Sequence, residues 1–473
     1  LAASTLAPLI SYAGGALEVD PSAVRDVVRF GFPTGQRSML KDVHVVPPGR
    51  FAFREAGKPP AIHRYFDLVS VAENAKPEPR SDREQVEAFR ALMREAVQAR
   101  LVSDVPLGAF LSGGVDSSLI VALMAERDPE SVQTFTIGFD DPSFDESDAA
   151  SEIARHLGVQ NTVKVLRGRD VLDQLDDLIR YFDEPMADYS ALPTLAVSKL
   201  AREHVTVALT GDGADEELGG YKYYLVQGLA ERYMSIAPRP LRQTLAGAAG
   251  LVPSDGAARM LRRSGAPDAA HFFGLGGFYR GATTTAVNRL LGEDDEAPRQ
   301  VAAFLRAHPL GSTTEAGMLY DATHTLPGAW LYKVDRASMA VSLEARSPFL
   351  DRRVLEQAFS LPLDMRIRGR QKKFLVRQLL RDYLPQALID RPKQGFTAPV
   401  AHWLRHELRR ELQARLSAPV VRARGFFDPA MVEILVREHL RGSHDHAQLL
   451  WALLILEWWL EHHVEGRAIA LSL

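Results

Sequence analysis

The chain has 473 residues, 46% apolar and 25% charged, which is the profile of a globular protein with room for two or three domains. A formal net charge of −4 argues against a dedicated nucleic-acid binder, which would show a strongly basic face. The absence of cysteine excludes disulfides, thiolate metal sites and cysteine nucleophiles, and fits a reducing, cytoplasmic setting.

Residues 1–66 read as β-rich and turn-rich. Asp42–Gly49 starts as a short apolar run and turns at Pro47-Pro48-Gly49, and Arg50–Phe53 resumes as a strand. Residues 67–80, with Pro77 and Pro79, read as a linker. Ser81 then has the position of a helix N-cap, with Glu84 completing a capping box. Apolar residues recur at helical spacing to about Leu101. Strands are predicted at Leu107–Leu111, Val132–Phe139, Thr162–Val165 and Val205–Leu209. Helices are predicted at Ser117–Glu126, Asp145–Leu157, Val171–Tyr181 and Leu192–Glu203. Such alternation implies an α/β fold, a doubly wound parallel sheet with helices on both faces. Beyond about residue 225 the pattern is helical. Near the end, LLWALLILEWWL (449–460) is shorter than the ~20 residues of a membrane span and carries Glu457. It reads as a buried core helix, and no membrane association is expected.

Four stretches carry chemistry. FLSGGVDSS (110–118) follows a strand and opens a helix. Gly113 and Gly114 let backbone N–H groups approach an anion, at the positive end of the helix. Asp116 is out of place in a phosphate cradle unless it holds Mg²⁺ against the phosphates. TGDGADEELGGYKYY (210–224) follows another strand and concentrates Asp212, Asp215, Glu216 and Glu217. Two acidic loops at neighbouring strand ends could share one ion. LYKVDRASMAVSLEARSPFLD (331–351) carries Lys333, Arg336, Glu344 and Arg346 at near-helical spacing. Taken alone it reads as an amphipathic helix with structural ion pairs. RPKQGF (391–396) holds Lys393 in a loop stiffened by Pro392. The basic run at 361–381, with Arg366, Arg368, Arg370, Lys372 and Lys373, reads as a solvated helix and turn.

SGGVDSS, TFTIGFDD, TGDGADE, SLEARSPFLD and RPKQGF occur in the order seen in class B, glutamine-dependent asparagine synthetases, which the chain resembles over about residues 1–465. The SGGxDS loop resembles the PP-motif of N-type ATP pyrophosphatases. The resemblance implies an adenine nucleotide alpha hydrolase-like fold and an ATP- and Mg²⁺-dependent carbon–nitrogen ligase. It implies that Ser112, Gly113, Gly114, Asp116 and Ser117 hold the ATP phosphates, and that Leu111, Ile137, Thr210 and Gly211 contact the adenine or ribose. Asp116 and Asp215 would hold the metal. Asp212 would stand beside the nucleotide, and Glu344 would take a proton from attacking ammonia. Lys393 would stabilise charge during adenylation. Lys333 is a further catalytic candidate, with a structural role as the alternative.

In that family an N-terminal cysteine hydrolyses glutamine to supply ammonia. Residues 1–66, including VVPPGRFAF (45–53), resemble only the last part of that Ntn-type glutaminase domain. The start at Leu1 favours a missing piece, and a separate glutaminase partner is the alternative. Residues 81–473 would form the synthetase domain, and a homodimer is a further expectation. The substrates implied are a small carboxylate, with L-aspartate first, and ammonia. Another carboxylate, such as a sugar acid or peptide, or a non-catalytic nucleotide-binding subunit, is the alternative. DEPMADYSALPT (183–194) resembles the substrate-side loop, and Glu344 in place of the tyrosine of β-lactam-forming relatives counts against ring closure.

Overall fold

The computed structural model describes residues 1–14, 18–35, 37–76, 80–167, 170, 172–252, 255–276, 284–292, 296–391 and 398–468. An antiparallel hairpin, β1 (Arg50–Phe53) and β2 (Ala61–Arg64), comes first among the strands. The main sheet follows with β3 (Leu107–Phe110), β4 (Gln133–Phe139), β5 (Gln160–Leu166), β6 (Val207–Leu209) and β7 (Glu344–Arg346). Its order is β5-β4-β3-β6-β7, and every pairing is parallel. The chain runs outward from β3 through β4 to β5, then returns past β3 to lay down β6 and β7. The order therefore reverses between β3 and β6, and the crevice beyond their carboxyl ends is where a doubly wound sheet binds ligands.

Side-chain alternation assigns the two faces. Phe135, Ile137 and Phe139 of β4 enter one core with the helices Leu175–Tyr181 and Ala191–Arg202. Ala109 and Leu209 enter the other, with the helices Asp82–Arg100, Val115–Ala125 and Phe374–Leu380. The capping box expected at Ser81 and Glu84 is present in full. The helix Ala447–Trp459 is buried at every position except Gln448, as its apolar run requires. No helix among the described residues is long and apolar enough to cross a membrane.

Four expectations are corrected. Residues 1–66, expected to be β-rich, carry the helices Ala7–Ala13 and Pro21–Phe30 ahead of the short hairpin. Asp42–Gly49 forms no strand, only an isolated bridge between Arg37 and His44. Residues 68–74, expected within a linker, form a helix that buries Leu68 and Ala72 against Leu319 and Phe359. The 331–351 stretch is not one helix. The helix Tyr332–Met339 ends there, Ser342 takes a left-handed φ of 58°, and the chain continues as β7.

The amino-terminal segment is joined to the far end of the chain. Leu6, Val24, Val27, Met39 and Leu40 share a core with Leu456, Trp459 and Leu460. Glu184 accepts hydrogen bonds from Ser38 Oγ (2.6 Å) and the Met39 N–H (3.0 Å). The β1–β2 hairpin, in contrast, is exposed along its whole length and turns Phe51, Phe53 and Ile62 to solvent.

Candidate active site

The loops after β3 and β6 face each other across the crevice. Leu111 N–H bonds to Phe135 O (3.0 Å), and Thr136 Oγ1 donates to Leu111 O (2.7 Å), which fixes the chain as it leaves β3. The glycine loop then turns into the helix Val115–Ala125, with Gly114 at its N-cap. Ser117 Oγ lies 3.2 Å from Ser112 Oγ and donates to Gly114 O (3.2 Å), closing the loop on itself. On the other side, Ser347 Oγ donates to Asp212 O (2.6 Å), so β7 supports the β6 loop. The two loops touch at Gly211, where a Cβ would stand 3.0 Å from Asp116 Cβ and 3.2 Å from Ser117 N. A side chain at 211 would wedge the crevice open.

The carboxylates of the two loops converge on one ammonium group. Lys373 Nζ pairs with Asp116 and, at 2.7 Å, with Asp215 Oδ1. Lys373 is 4% exposed, and its backbone is left-handed (φ 53°). The sequence reading missed it, because a lysine in a basic run looks solvated. Gly220 makes room for the pair: a Cβ there would fall 1.8 Å from Asp215 Oδ1 and 2.2 Å from Lys373 Cε. Glu216 and Glu217 lie behind this cluster. Burial, then the charge of Asp215, pushes the Glu216 carboxyl up to about 8, and Tyr221 donates to it (2.5 Å). Burial pushes Glu217 up well above the usual range. Burial thus favours the protonated form of both, and Asp215 is the acid of that helical turn that pairs with Lys373.

These groups fit a hard divalent cation. A positive charge already stands between Asp116 and Asp215, and Asp116 Oδ1 is buried with no hydrogen-bond partner among the described residues. The donors are oxygens, as Mg²⁺ requires.

A cavity of about 600 Å³ opens above the crevice. Phe110, Leu111, Phe135, Ile137 and Val197 make an apolar end beside β3 and β4. Ser112, Gly114, Asp116, Ser117, Thr210, Gly211 and Asp215 make the middle. Asp188, Tyr189, Ser190, Asp212, Trp330 and Lys333 line the rest. Lys333 Nζ bonds to Asp188 (2.9 Å) and Ser190 Oγ (2.6 Å) and lies 4.9 Å from the Trp330 ring centroid. Asp212 sits deep in this cavity. Burial raises its pKa from the ordinary 3.8, opposed by the charge of Lys333 and a Thr210 hydrogen bond. Across the glycine loop a second cavity, about 300 Å³, contains Gly113, Lys372, Lys373, Arg377 and Arg391. The site can thus seat an apolar ring, hold several negative charges and offer a deep carboxylate.

Of the residues singled out from sequence, Glu344 is not brought to the cleft. It opens β7 at the strand's amino end, opposite Val207, whereas the cleft lies beyond the carboxyl ends. It is exposed and ion-paired with Arg346 (2.7 Å). Its ion-pair partner Arg346 does not line the cavity either, so nothing in this geometry supports the ammonia-side role that the resemblance implies for Glu344. Glu344→Gln is accordingly expected to leave AMP formation and amide yield within about twofold of wild type in steady-state assays, as for a surface ion pair. Lys393 lies outside the described residues. Asp188, Ser190 and Tyr189 fall in the 183–194 loop that the sequence marked only as a block.

The asparagine synthase family model matches residues 88–461. Asparagine synthetase (glutamine-hydrolyzing) 1 of Bacillus subtilis is 30% identical over 454 residues, 95% of this chain and 70% of its own length. A relative from Mycobacterium tuberculosis is 32% identical over 97% of this chain and 71% of its own. Amidase chyE of Penicillium rubens is 23% identical over 83% of this chain and 64% of its own. With the glycine loop, the paired aspartates and the sheet's reversal point in one crevice, the chain belongs to the asparagine synthase family.

Proposed function

We propose that the chain joins ammonia to a carboxylate at the cost of ATP, by way of an acyl-adenylate, and that L-aspartate is the acceptor. The observation that carries the reading is the convergence of Asp116 and Asp215 on one cation, beside the glycine loop and the helix N-terminus. A carboxylate is a poor electrophile. Its attack on the α-phosphate of ATP forms a mixed anhydride and expels pyrophosphate. The site must mainly offset phosphate charge, for which backbone N–H groups, Lys372, Lys373 and Arg377 stand around the loop. Asp116 and Asp215 would hold Mg²⁺, which when bound supplies charge neutralisation at the phosphates. Leu111, Ile137 and Phe135 would receive the adenine, with Thr210 and Gly211 near the ribose. Asp212 would take the proton as ammonia displaces AMP, and Lys333 would orient the acceptor together with Asp188 and Ser190. Lys393 remains proposed for the adenylation step from the RPKQGF resemblance. Ammonia would come from a glutaminase unit, a reading supported by the solvent-facing apolar side chains of the β1–β2 hairpin. A cytoplasmic homodimer belongs to the same proposal.

The test is pyrophosphate and AMP release with ATP, Mg²⁺ and ammonium chloride, across a panel of carboxylates. Turnover with aspartate, giving one AMP and one pyrophosphate per amide, is the expected result. Turnover with another acid alone would replace the acceptor, and ATP binding without AMP from any acid would overturn the ligase reading.

A further inference from the structure

The turn between the helices Pro429–Leu440 and Ala447–Trp459 reads EHLRGSHDH (438–446). It folds back tightly over Glu438. Ser443 N–H (3.1 Å) and Ser443 Oγ (3.0 Å) both bond to Glu438 O, and Gly442 takes a positive φ of 71° to allow it. His439 Nδ1 accepts from the His446 N–H (3.2 Å), so the turn holds its shape by itself. One carboxylate oxygen, Glu438 Oε2, then faces two imidazoles. It lies 2.7 Å from His446 Nε2 and 3.9 Å from His444 Nδ1. The two rings are stacked at 5.7 Å, and all three donor atoms lie within 4.8 Å of one another.

We propose that Glu438, His444 and His446 bind a borderline divalent transition-metal ion of the Zn²⁺ class. Two imidazole nitrogens and one carboxylate oxygen are the donors such an ion prefers, whereas Mg²⁺ selects oxygen alone. Ligand bonds of about 2.0–2.2 Å set tetrahedral donor atoms about 3.3 Å apart. The observed 2.7 and 3.9 Å bracket that spacing, so small side-chain shifts suffice. On binding, the ion takes the place of the proton between His446 and Glu438. His446 is 4% exposed and fixed, while His444 is exposed and leaves a fourth position open to water. The helix that follows the turn reaches the cleft. Gln448 lines the large cavity, and Trp451 packs edge-on against Tyr189, which lines it as well. An ion there would brace the turn from which that helix starts.

The experiment titrates the chelator-treated full chain with ZnCl₂ alone, followed by calorimetry. Wild type should take up a Zn²⁺ equivalent that Asp116→Asn retains. His444→Ala and Glu438→Gln should weaken it at least about tenfold, the scale on which metal sites respond even to lost supporting groups. His444 is exposed and takes no part in the Glu438–His446 hydrogen bond, so its loss leaves the fold intact. Zn²⁺ uptake unchanged in both variants, or no saturable uptake by wild type, would overturn the proposal.

Discussion

Lys373→Met is expected to destabilise the magnesium-free chain by about 3–5 kcal/mol, the usual cost of removing one partner from a buried ion pair. The cost arises because Asp116 and Asp215, which share that ammonium, are left facing each other with little solvent. Their side chains are only 13% and 18% exposed, so water compensates poorly. The measurement is chemical denaturation with and without Mg²⁺. In the variant, an ion binding the two carboxylates meets no competing ammonium. Magnesium at a hundredfold excess over its dissociation constant would return about 2.7 kcal/mol. Wild type should gain less at the same concentration, since the ion must displace Lys373 from the same oxygens. Equal gains in the two proteins would show that the lysine does not occupy the metal position, and the proposed pairing of Asp116 with Asp215 around an ion would fail with it.

Asp212→Asn should separate the two half-reactions. The shape of the side chain is kept and its capacity to take a proton is lost. Acceptor-dependent ATP–pyrophosphate exchange should persist, while amide formation falls by about 10²–10⁴, the contribution of a positioned base. The pH profile gives an independent check. A base works deprotonated, so the wild-type rate rises with pH as Asp212 ionises. Burial holds that ionisation above the ordinary 3.8, with Lys333 pulling the other way, so the acid limb lies above the usual aspartate range. The limb should be absent from whatever rate the variant retains. An amide yield within a few fold of wild type would remove Asp212 from the proton transfer.

The glycine loop and the acidic loop were legible because each is a run of special residue types directly after a predicted strand. Strand ends are where such a sheet exposes backbone to ligands. Glu344 shows where such reading stops. Its motif resembles a functional one, but a motif does not say which end of a strand it occupies, and β7 is only three residues long with two of them charged. So short and polar a strand carries no alternation to read. Lys373 was hidden by composition. Seven basic residues in 361–381 read as a wet surface, yet the fold buries both Lys373 and Arg366. Arg366 is engaged by Glu315 (2.5 Å), fifty-one positions away. Partners at that distance along the chain are set by tertiary packing alone. The helix at 68–74 was lost to its neighbours, since the prolines and charges after it made the whole stretch look like a spacer.

The core shared by Leu6, Met39 and Leu40 with Trp459 and Leu460 bears on how the polypeptide could be dissected. Trp459 Nε1 also donates to Asp183 O (2.8 Å), and Asp183 in turn accepts from the Leu6 N–H. A fragment beginning at residue 81 would keep every cleft residue but strip one flank of its closing helix, leaving an oily scar beside the 183–194 loop. The head and tail of this sequence act as a clasp, and an excision that respects motif order would still unfasten it.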